Sequence, residues 1–335
     1  MKEVHENALC PCESGKKYFD CCLPRHIEKS RQNPHQDWKE QLKKEMAGKD
    51  FSSLDEANRF LRVYYERRNA EPQPDFMGLS SDQVHRLIDL PYTHTTDMVV
   101  LNCDFRAEDM TGIPVVSHSV RFLTELASVQ PLKATAAGNL PPDFAKPLFV
   151  DLDQTPLKEI IKFRTETDSM IVHSLRLILS IGGWIKKEKG YFRLTRKGNK
   201  AVEQGFSAAD YLDLFTAFVQ KFNWGYQDGY PAFEIIQRAT LFSLFLLHKK
   251  ARGFRKSYSL SPYFIRAFPL ILVEAEPRWD DVFSQIDRCY ETRFLERFCA
   301  YFGLIDLRER NPDPLERTLT LKTSPFFDRL LTWKI

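Results

Sequence analysis

The sequence predicts a mainly α fold of the α+β class: a small cysteine-rich module, then a helical segment, then two α/β segments in tandem. Three observations predict it. Apolar residues recur at helical spacing through most of the chain, with capping residues at the starts and glycine or proline at the stops. Short apolar runs separated by turn residues occur twice, near 185–194 and 303–322, the pattern of hairpins. Four of the seven cysteines crowd into residues 10–22, Cys-Pro-Cys-Glu-Ser-Gly-Lys-Lys-Tyr-Phe-Asp-Cys-Cys.

The elements follow in order. Asp37 to Lys49 is strongly charged and suits a solvated helix or linker. Ser53-Leu-Asp-Glu56 is a capping box opening a helix to about Asn69. Glu71-Pro-Gln-Pro-Asp75 breaks it. Ser80-Ser-Asp-Gln83 caps a second helix through Leu90, stopped by Pro91. Met98 to Phe105 reads as a short strand or extended segment. Val116 to Val129 is a helix on Val120, Leu123, Leu126 and Ala127, and Leu132 to Ala136 is extended. Pro141-Pro142 suits a first helical turn, with a helix to about Phe149. Asp151 to Thr167 reads as an insertion with a helix after Pro156. Ser169 to Ile181 is a long apolar helix ended by Gly182-Gly183. Trp184 to Lys187 and Tyr191 to Thr195 flank a Lys-Gly turn as a hairpin, and a helix starts at Asn199. Ser207 to Phe222 is a connecting helix, and the aromatic run Phe222 to Tyr226 a packed corner. The order then repeats: helix Pro231 to Lys250, extended Ser257 to Leu260, short helix Pro262 to Phe268, helix Trp279 to Phe302. Strands Gly303–Arg308 and Thr318–Lys322 flank the turn-rich Asn311–Pro314, and Phe326 to Trp333 closes as a helix.

Cys10, Cys12, Cys21 and Cys22 are enough to close a tetrahedral Zn²⁺ site. Pro11 restricts the backbone between the first two ligands, and Gly15 suits the reversal of the loop. Four thiolates on Zn²⁺ leave a charge of about −2, which Lys16 and Lys17 could offset. The segment is too short for its own core, so metal would supply most of its folding free energy, on the order of 10 kcal/mol. Disulfide chemistry or four free thiols is the alternative, and bonding the adjacent pair would strain the peptide between them.

These residues resemble the SEC-C motif found at the C-terminus of the SecA translocation ATPase and in many bacterial proteins. All four cysteines match its ligand positions, and Ser14, Gly15, Lys16, Lys17 and Tyr18 match its loop. Glu13 stands where that pattern has glycine. The match covers about the first 24 residues. The resemblance implies docking onto a protein or a ribosome-associated surface. A zinc-stabilised end piece with no partner is the competing reading.

The order helix, short strand, helix, helix, hairpin resembles the winged-helix arrangement, and the phrase from Gly183 to Gly198 resembles a bacterial wing. The segments expected are 1–24, zinc module; 25–50, charged linker or helix; 51–112, helical; 113–206 and 207–335, two tandem winged-helix-like units. The whole resembles bacterial proteins that carry a SEC-C motif ahead of a helical body.

Net charge is +3 over 335 residues, too small to imply nucleic acid. Its distribution says more. Trp184 to Lys200 has seven basic residues against Glu188, and His248 to Lys256 has five Lys or Arg and no acid. In the first wing Lys186, Lys187, Lys189, Arg193, Arg196 and Lys197 could contact phosphates. The would-be recognition helix is apolar almost all round, leaving mainly His173, Ser174 and Arg176 for a base edge. In the second, Arg288, Arg293 and Arg297 alternate with acids, which suits a solvated face or protein contact.

Leu148-Phe-Val-Asp151-Leu-Asp153-Gln-Thr155 resembles the first motif of haloacid-dehalogenase-type phosphatases, with Gln154 where glycine is usual. That fold needs alternating parallel strands, which the pattern lacks. Asp280 and Asp281, offered as later metal-binding acids, fall in a helical pattern. No phosphate loop, dinucleotide fingerprint, serine elbow or His-Glu-x-x-His is present. His26 and His35 could exchange as metal ligands. His85, His94, His118, His173 and His248 read as isolated.

The expectation is therefore a non-enzymatic zinc adaptor or regulator. The zinc module docks a protein partner and the winged-helix-like units make protein contacts. A winged-helix nucleic-acid-binding regulator is the alternative, and a Mg-dependent phosphohydrolase using Asp151 and Asp153 a third. No window matches a membrane span, and zinc-type thiolates without a disulfide framework suit a reducing, bacterial cytoplasm. Oligomeric state is not legible.

Overall fold

The computed structural model describes residues 9–10, 12, 14–25, 28, 35–89, 97–153, 158, 161–226, 228–276, 281–309 and 318–335. Pro11, Glu13, His26, Pro91, His94, Gln154, Thr155, Pro156, Trp279, Asp280 and Asn311–Pro314 lie outside them, as does the side chain of His35.

Along the chain, α1 (His35–Met46) is followed by α2 (Leu54–Ala70) and α3 (Ser81–Asp89). Ser53 caps α2 by accepting from the Glu56 amide, but the Glu56 carboxylate accepts from Ser52 rather than returning to Ser53. At α3 the predicted box is reciprocal: Ser80 N–H donates to Gln83 Oε1 at 2.8 Å, and Gln83 N–H to Ser80 Oγ at 3.2 Å. Then come β1 (Val99–Leu101), α4 (Pro114–Val129), β2 (Leu132–Lys133), α5 (Pro142–Leu152) and α6 (Met170–Ile181). β3 (Ile185–Glu188) and β4 (Tyr191–Leu194) form the predicted hairpin. Lys189 and Gly190 both take positive φ at its tip, the geometry that matches strand twist in a two-residue turn. α7 (Arg196–Gln204) begins three residues before the expected Asn199, because Thr195 caps it. α8 (Ala208–Thr216) relaxes into one π-helical turn over Ala217–Lys221.

The second series departs more from expectation. One helix was predicted from Pro231 to Lys250, whereas α9 (Glu234–Arg238) and α10 (Thr240–Lys250) are separated at Ala239, whose ψ of 28° leaves the helical range. Extended structure falls on β5 (Arg255–Lys256), and Ser257–Ser259 forms a tight 3₁₀ turn instead of a strand. α11 (Ser261–Ala267), α12 (Ile271–Glu274) and α13 (Val282–Tyr290) follow, and α13 widens to π geometry over Glu291–Ala300. β6 (Ile305–Glu309) and β7 (Leu319–Thr323) are the predicted hairpin strands. The closing segment is not wholly helical. After α14 (Pro325–Leu330) the chain forms β8 (Leu331–Trp333), which pairs antiparallel with β1.

The chain is thus mainly helical with small sheets. Two of these have the same non-sequential order, β2-β4-β3 and β5-β7-β6, in which a short early strand pairs with the second strand of a later hairpin. The expected order of helix, short strand, helices and hairpin is present in both series.

Two compact units divide the chain, and neither is continuous. Unit I comprises Met1–Pro91, Gly225–Phe298 and Ile305–Thr323, and unit II comprises Tyr92–Trp224, Cys299–Leu304 and Ser324–Ile335. Residues of the segments read from sequence as 51–112 and 207–335 contribute to both. In unit I, α10 is apolar all round, and every residue from Thr240 to Leu247 is buried, as such a helix must be. Arg293, 2% exposed, forks onto Asp228 at 2.7 and 2.9 Å and donates to the carbonyls of Pro231 and Ala232. The alternation of charge that suggests a solvated face therefore includes a buried guanidinium with four hydrogen bonds. Burial works against its charge, and Asp228 more than compensates, raising its pKa. In unit II, Phe122, Leu126, Leu148, Leu175, Ile178, Trp184 and Phe192 are buried between α4, α5, α6 and the hairpin. Phe122 meets Phe144 edge to face at 5.6 Å. Phe218 stacks on Phe222 at 5.3 Å and meets Trp224 at 5.4 Å, forming the expected aromatic corner.

Candidate metal centre and basic surfaces

The loop of residues 9–22 is closed by its own backbone. Leu9 bridges Lys17, and Cys10 N–H donates to Lys16 C=O at 2.8 Å. Gly15 turns the loop at φ 71°, a conformation that costs a side-chain-bearing residue more. Cys21 N–H and Leu23 N–H both donate to Tyr18 C=O, at 3.2 and 3.0 Å. These bonds bring the Cys10, Cys12, Cys21 and Cys22 sulfurs within 4.8 Å of one another. Cys12 Sγ lies 3.6 Å from Cys21 Sγ, and Cys21 Sγ 3.9 Å from Cys22 Sγ. A tetrahedron of sulfurs about 2.3 Å from a central Zn²⁺ has edges of about 3.8 Å, so the spacing fits. None of the four is joined in a disulfide.

The donor chemistry fits as well. Burial pushes the thiols of Cys10 and Cys22 up. The Ser14 hydroxyl, 3.2 Å from Cys12 Sγ, leads the interactions that hold Cys12 down at about 6. A site with two buried thiols ionises fully only beside a compensating cation. Four protein donors fill a tetrahedral ion and leave no position for a water, so such a centre is structural.

The module is packed onto the rest of unit I, which sequence reasoning missed. Tyr18 is buried and its ring lies 5.5 Å from that of Phe283, while Phe19 meets Phe283 edge-on at 6.4 Å. Arg266 pairs with Asp75 at 2.6 Å. Burial opposes the charge on Arg266, and Asp75, with Cys22 and Cys10 behind it, more than offsets that and raises its pKa. Lys16 and Lys17, expected to offset the site's charge, are exposed, so Arg266 is the cation that sits within the module's packed surroundings.

The wing cations divide. Lys186 and Arg193 face one another across the hairpin, and Lys186 pairs with Glu188 at 2.9 Å. Lys187 reaches Gly138 C=O at 3.3 Å. Lys189 is exposed at the tip, and Arg196 is exposed in the first turn of α7. Lys197 is an internal staple: Nζ lies 3.5 Å over the Trp184 ring and donates to Gly182 C=O at 3.0 Å and Asp213 at 2.6 Å.

The groups left for base reading on α6 also turn inward. The fully buried Glu166 carboxylate accepts from Arg176 Nε and bonds His173 Nδ1, each at 2.6 Å, and accepts from the Leu140 amide. Ser174 Oγ bonds Met170 Sδ at 3.3 Å. The run Leu148–Leu152 forms part of α5, not a strand. Asp151 pairs with Arg121 at 3.1 Å, and every strand pairing among the described residues is antiparallel. The geometry that the phosphohydrolase motif requires is therefore not built there. Asp281 caps α13 by accepting from Ser284 N–H. Among the histidines, His118 packs on Tyr301 at 5.5 Å, His248 contacts Arg252, and His85 is exposed on α3.

A comparison with protein families matches the SEC-C motif at residues 7–24. Comparisons with curated proteins and with solved structures returned no match. The matched stretch contains all four cysteines, which are close enough together to bind a metal. No described helix is long and apolar enough to cross a membrane.

Proposed function

We propose that the chain is a non-enzymatic, zinc-containing adaptor. Zn²⁺ on Cys10, Cys12, Cys21 and Cys22 fastens the N-terminal module to unit I, and the two winged-helix-like segments offer surfaces for protein contact. The observation that carries this reading is the burial of Tyr18 against Phe283 beside a closed four-cysteine set. One face of the module is spent on the protein's own core. Lys16, Lys17 and Leu9 remain exposed, the two lysines for an acidic partner. Base reading through α6 is disfavoured, because His173 and Arg176 are committed to Glu166.

Metal analysis and limited proteolysis test this. Reduced protein should carry one Zn²⁺ per chain. Cys12→Ser should release it, keep the far-UV dichroism of the body, and make the first 25 or so residues more readily cleaved. Metal-free reduced protein, or a Cys12→Ser variant that retains zinc, would overturn the reading.

A further inference from the structure

We propose that the outer face of the β5-β7-β6 sheet binds single-stranded nucleic acid. It would hold phosphates on Lys256, Arg308 and Lys322 and stack a base on Phe254. Pairing sets the arrangement. Lys256 and Arg308 both pair with Thr320, so the three form one row across the sheet. The next row on the same face holds Lys322 opposite Asp306, and Phe254 immediately precedes β5. Adjacent strands are about 4.8 Å apart, so the backbone positions of Lys256 and Arg308 stand about 10 Å apart. The opposite face carries Ile305, Leu319 and Leu321, all buried; on the proposed face Thr320 is buried as well, while Lys256 and Arg308 on either side of it are exposed.

Phe254 is 41% exposed. The Arg308 guanidinium carbon lies 3.9 Å from its ring centroid and Lys322 Nζ 5.2 Å from it. Asp306 pairs with Lys322 at 3.3 Å and is the one carboxylate in these two rows, against three cations. The basic run His248–Lys256 contributes Lys256, while its Arg255 turns away to Ser259 and the Lys250 carbonyl.

An acidic protein would need only the cations. An exposed aromatic ring beside a guanidinium plane, ringed by positive charge, is the pairing that unstacked bases and their phosphates use. Duplex hides its base faces inside the stack, so Phe254 can meet a base only in a single strand. The surface shares no residue with the cysteine cluster, so the inference stands or falls apart from the metal assignment.

Fluorescence anisotropy on the protein as purified, with oligo(dT) and oligo(U) of about 12 nucleotides, tests it. A duplex of the same length and polyglutamate serve as comparisons. Single strands should bind best, and log K should fall against log salt with a slope of about −2 for three phosphates. Phe254→Ala should weaken binding about 5- to 150-fold with the slope kept. Replacing Lys256, Arg308 and Lys322 together by Gln should remove nearly all of the slope. Unchanged far-UV dichroism and urea midpoint confirm the fold, and Phe254→Leu replaces Phe254→Ala if they change. No binding at about 50 mM salt overturns the proposal, as does binding that survives the triple substitution. Equal affinity for polyglutamate with no effect of Phe254→Ala does so too, and would mark an acidic-protein surface instead.

Discussion

Glu166→Gln should cost unit II about 3 kcal/mol. The carboxylate is fully buried and serves Arg176, His173 and the Leu140 amide at once. Gln retains an oxygen for the amide, so no backbone donor is orphaned. What it removes is the counter-charge of Arg176, whose side chain is only 12% exposed, and its NH2 then faces the Arg176 Nε–H as donor against donor. Breaking one side of a buried pair costs about 3–5 kcal/mol, and the residual exposure of Arg176 places this case at the low end. Urea unfolding of the unit, followed by the dichroism of its helices, measures the loss. With a slope of about 1–3 kcal/mol/M the midpoint should fall by at least about 1 M. The pH dependence gives a second reading. Burial works to raise the Glu166 pKa, but the bonds from His173, Leu140 and Arg176 more than offset it and hold it below the ordinary 4.5. Its contribution is complete above the unfolded value and lost as pH falls through the lower folded value. The gap between wild type and variant should therefore close in acid. A difference under about 0.5 kcal/mol at neutral pH, with an unchanged slope, would refute the assignment of Glu166 as the lock on α6.

Lys197→Met should destabilise unit II by about 1–2 kcal/mol and shift the Trp184 emission, because Nζ contacts the ring, Gly182 and Asp213 together; unchanged stability and emission would show that the staple is idle. Lys186→Gln with Arg193→Gln should leave binding to duplex DNA unaltered, and a drop of about 1.8 in the salt slope would instead place those cations on phosphates. No Mg²⁺-dependent turnover of a phosphate ester is expected, since Asp151 is held on α5 by Arg121; turnover that disappears in Asp151→Asn would contradict this.

Local chemistry was the legible part of the fold. Ser53, Ser80 and Ser207 cap helices through bonds to residues three places on, so their signal lies within one window of sequence, whereas the same bond at Thr195 goes unread and that helix is expected three residues late. The four-cysteine cluster is legible for the same reason. Partners set by distance along the chain were not. Leu331–Trp333 has no local reason to leave the helix, and it becomes a strand because Val99–Leu101 waits for it more than 200 residues earlier in the chain. His173 and Arg176 look like surface polar groups on an apolar helix until Glu166 is placed beneath them. Tyr18 belongs to the motif by sequence, but only Phe283 and Arg266 show that it is core. The basic run His248–Lys256 gained meaning when pairing set Lys256 in one row with Arg308.

The packing of Tyr18 on Phe283 has a consequence for synthesis. About 265 residues separate the two, and at about 5–20 residues per second the ribosome needs roughly 13–50 s to deliver the second ring after the first. Cys10 and Cys12 are made before Tyr18, and Cys21 and Cys22 follow it by three and four residues. Their loop is held by bonds among neighbours and needs nothing downstream. On the proposed metal reading, a nascent chain that takes up zinc early would carry a closed loop with one aromatic side uncovered, its cysteines protected while the surface that will receive it is still being made.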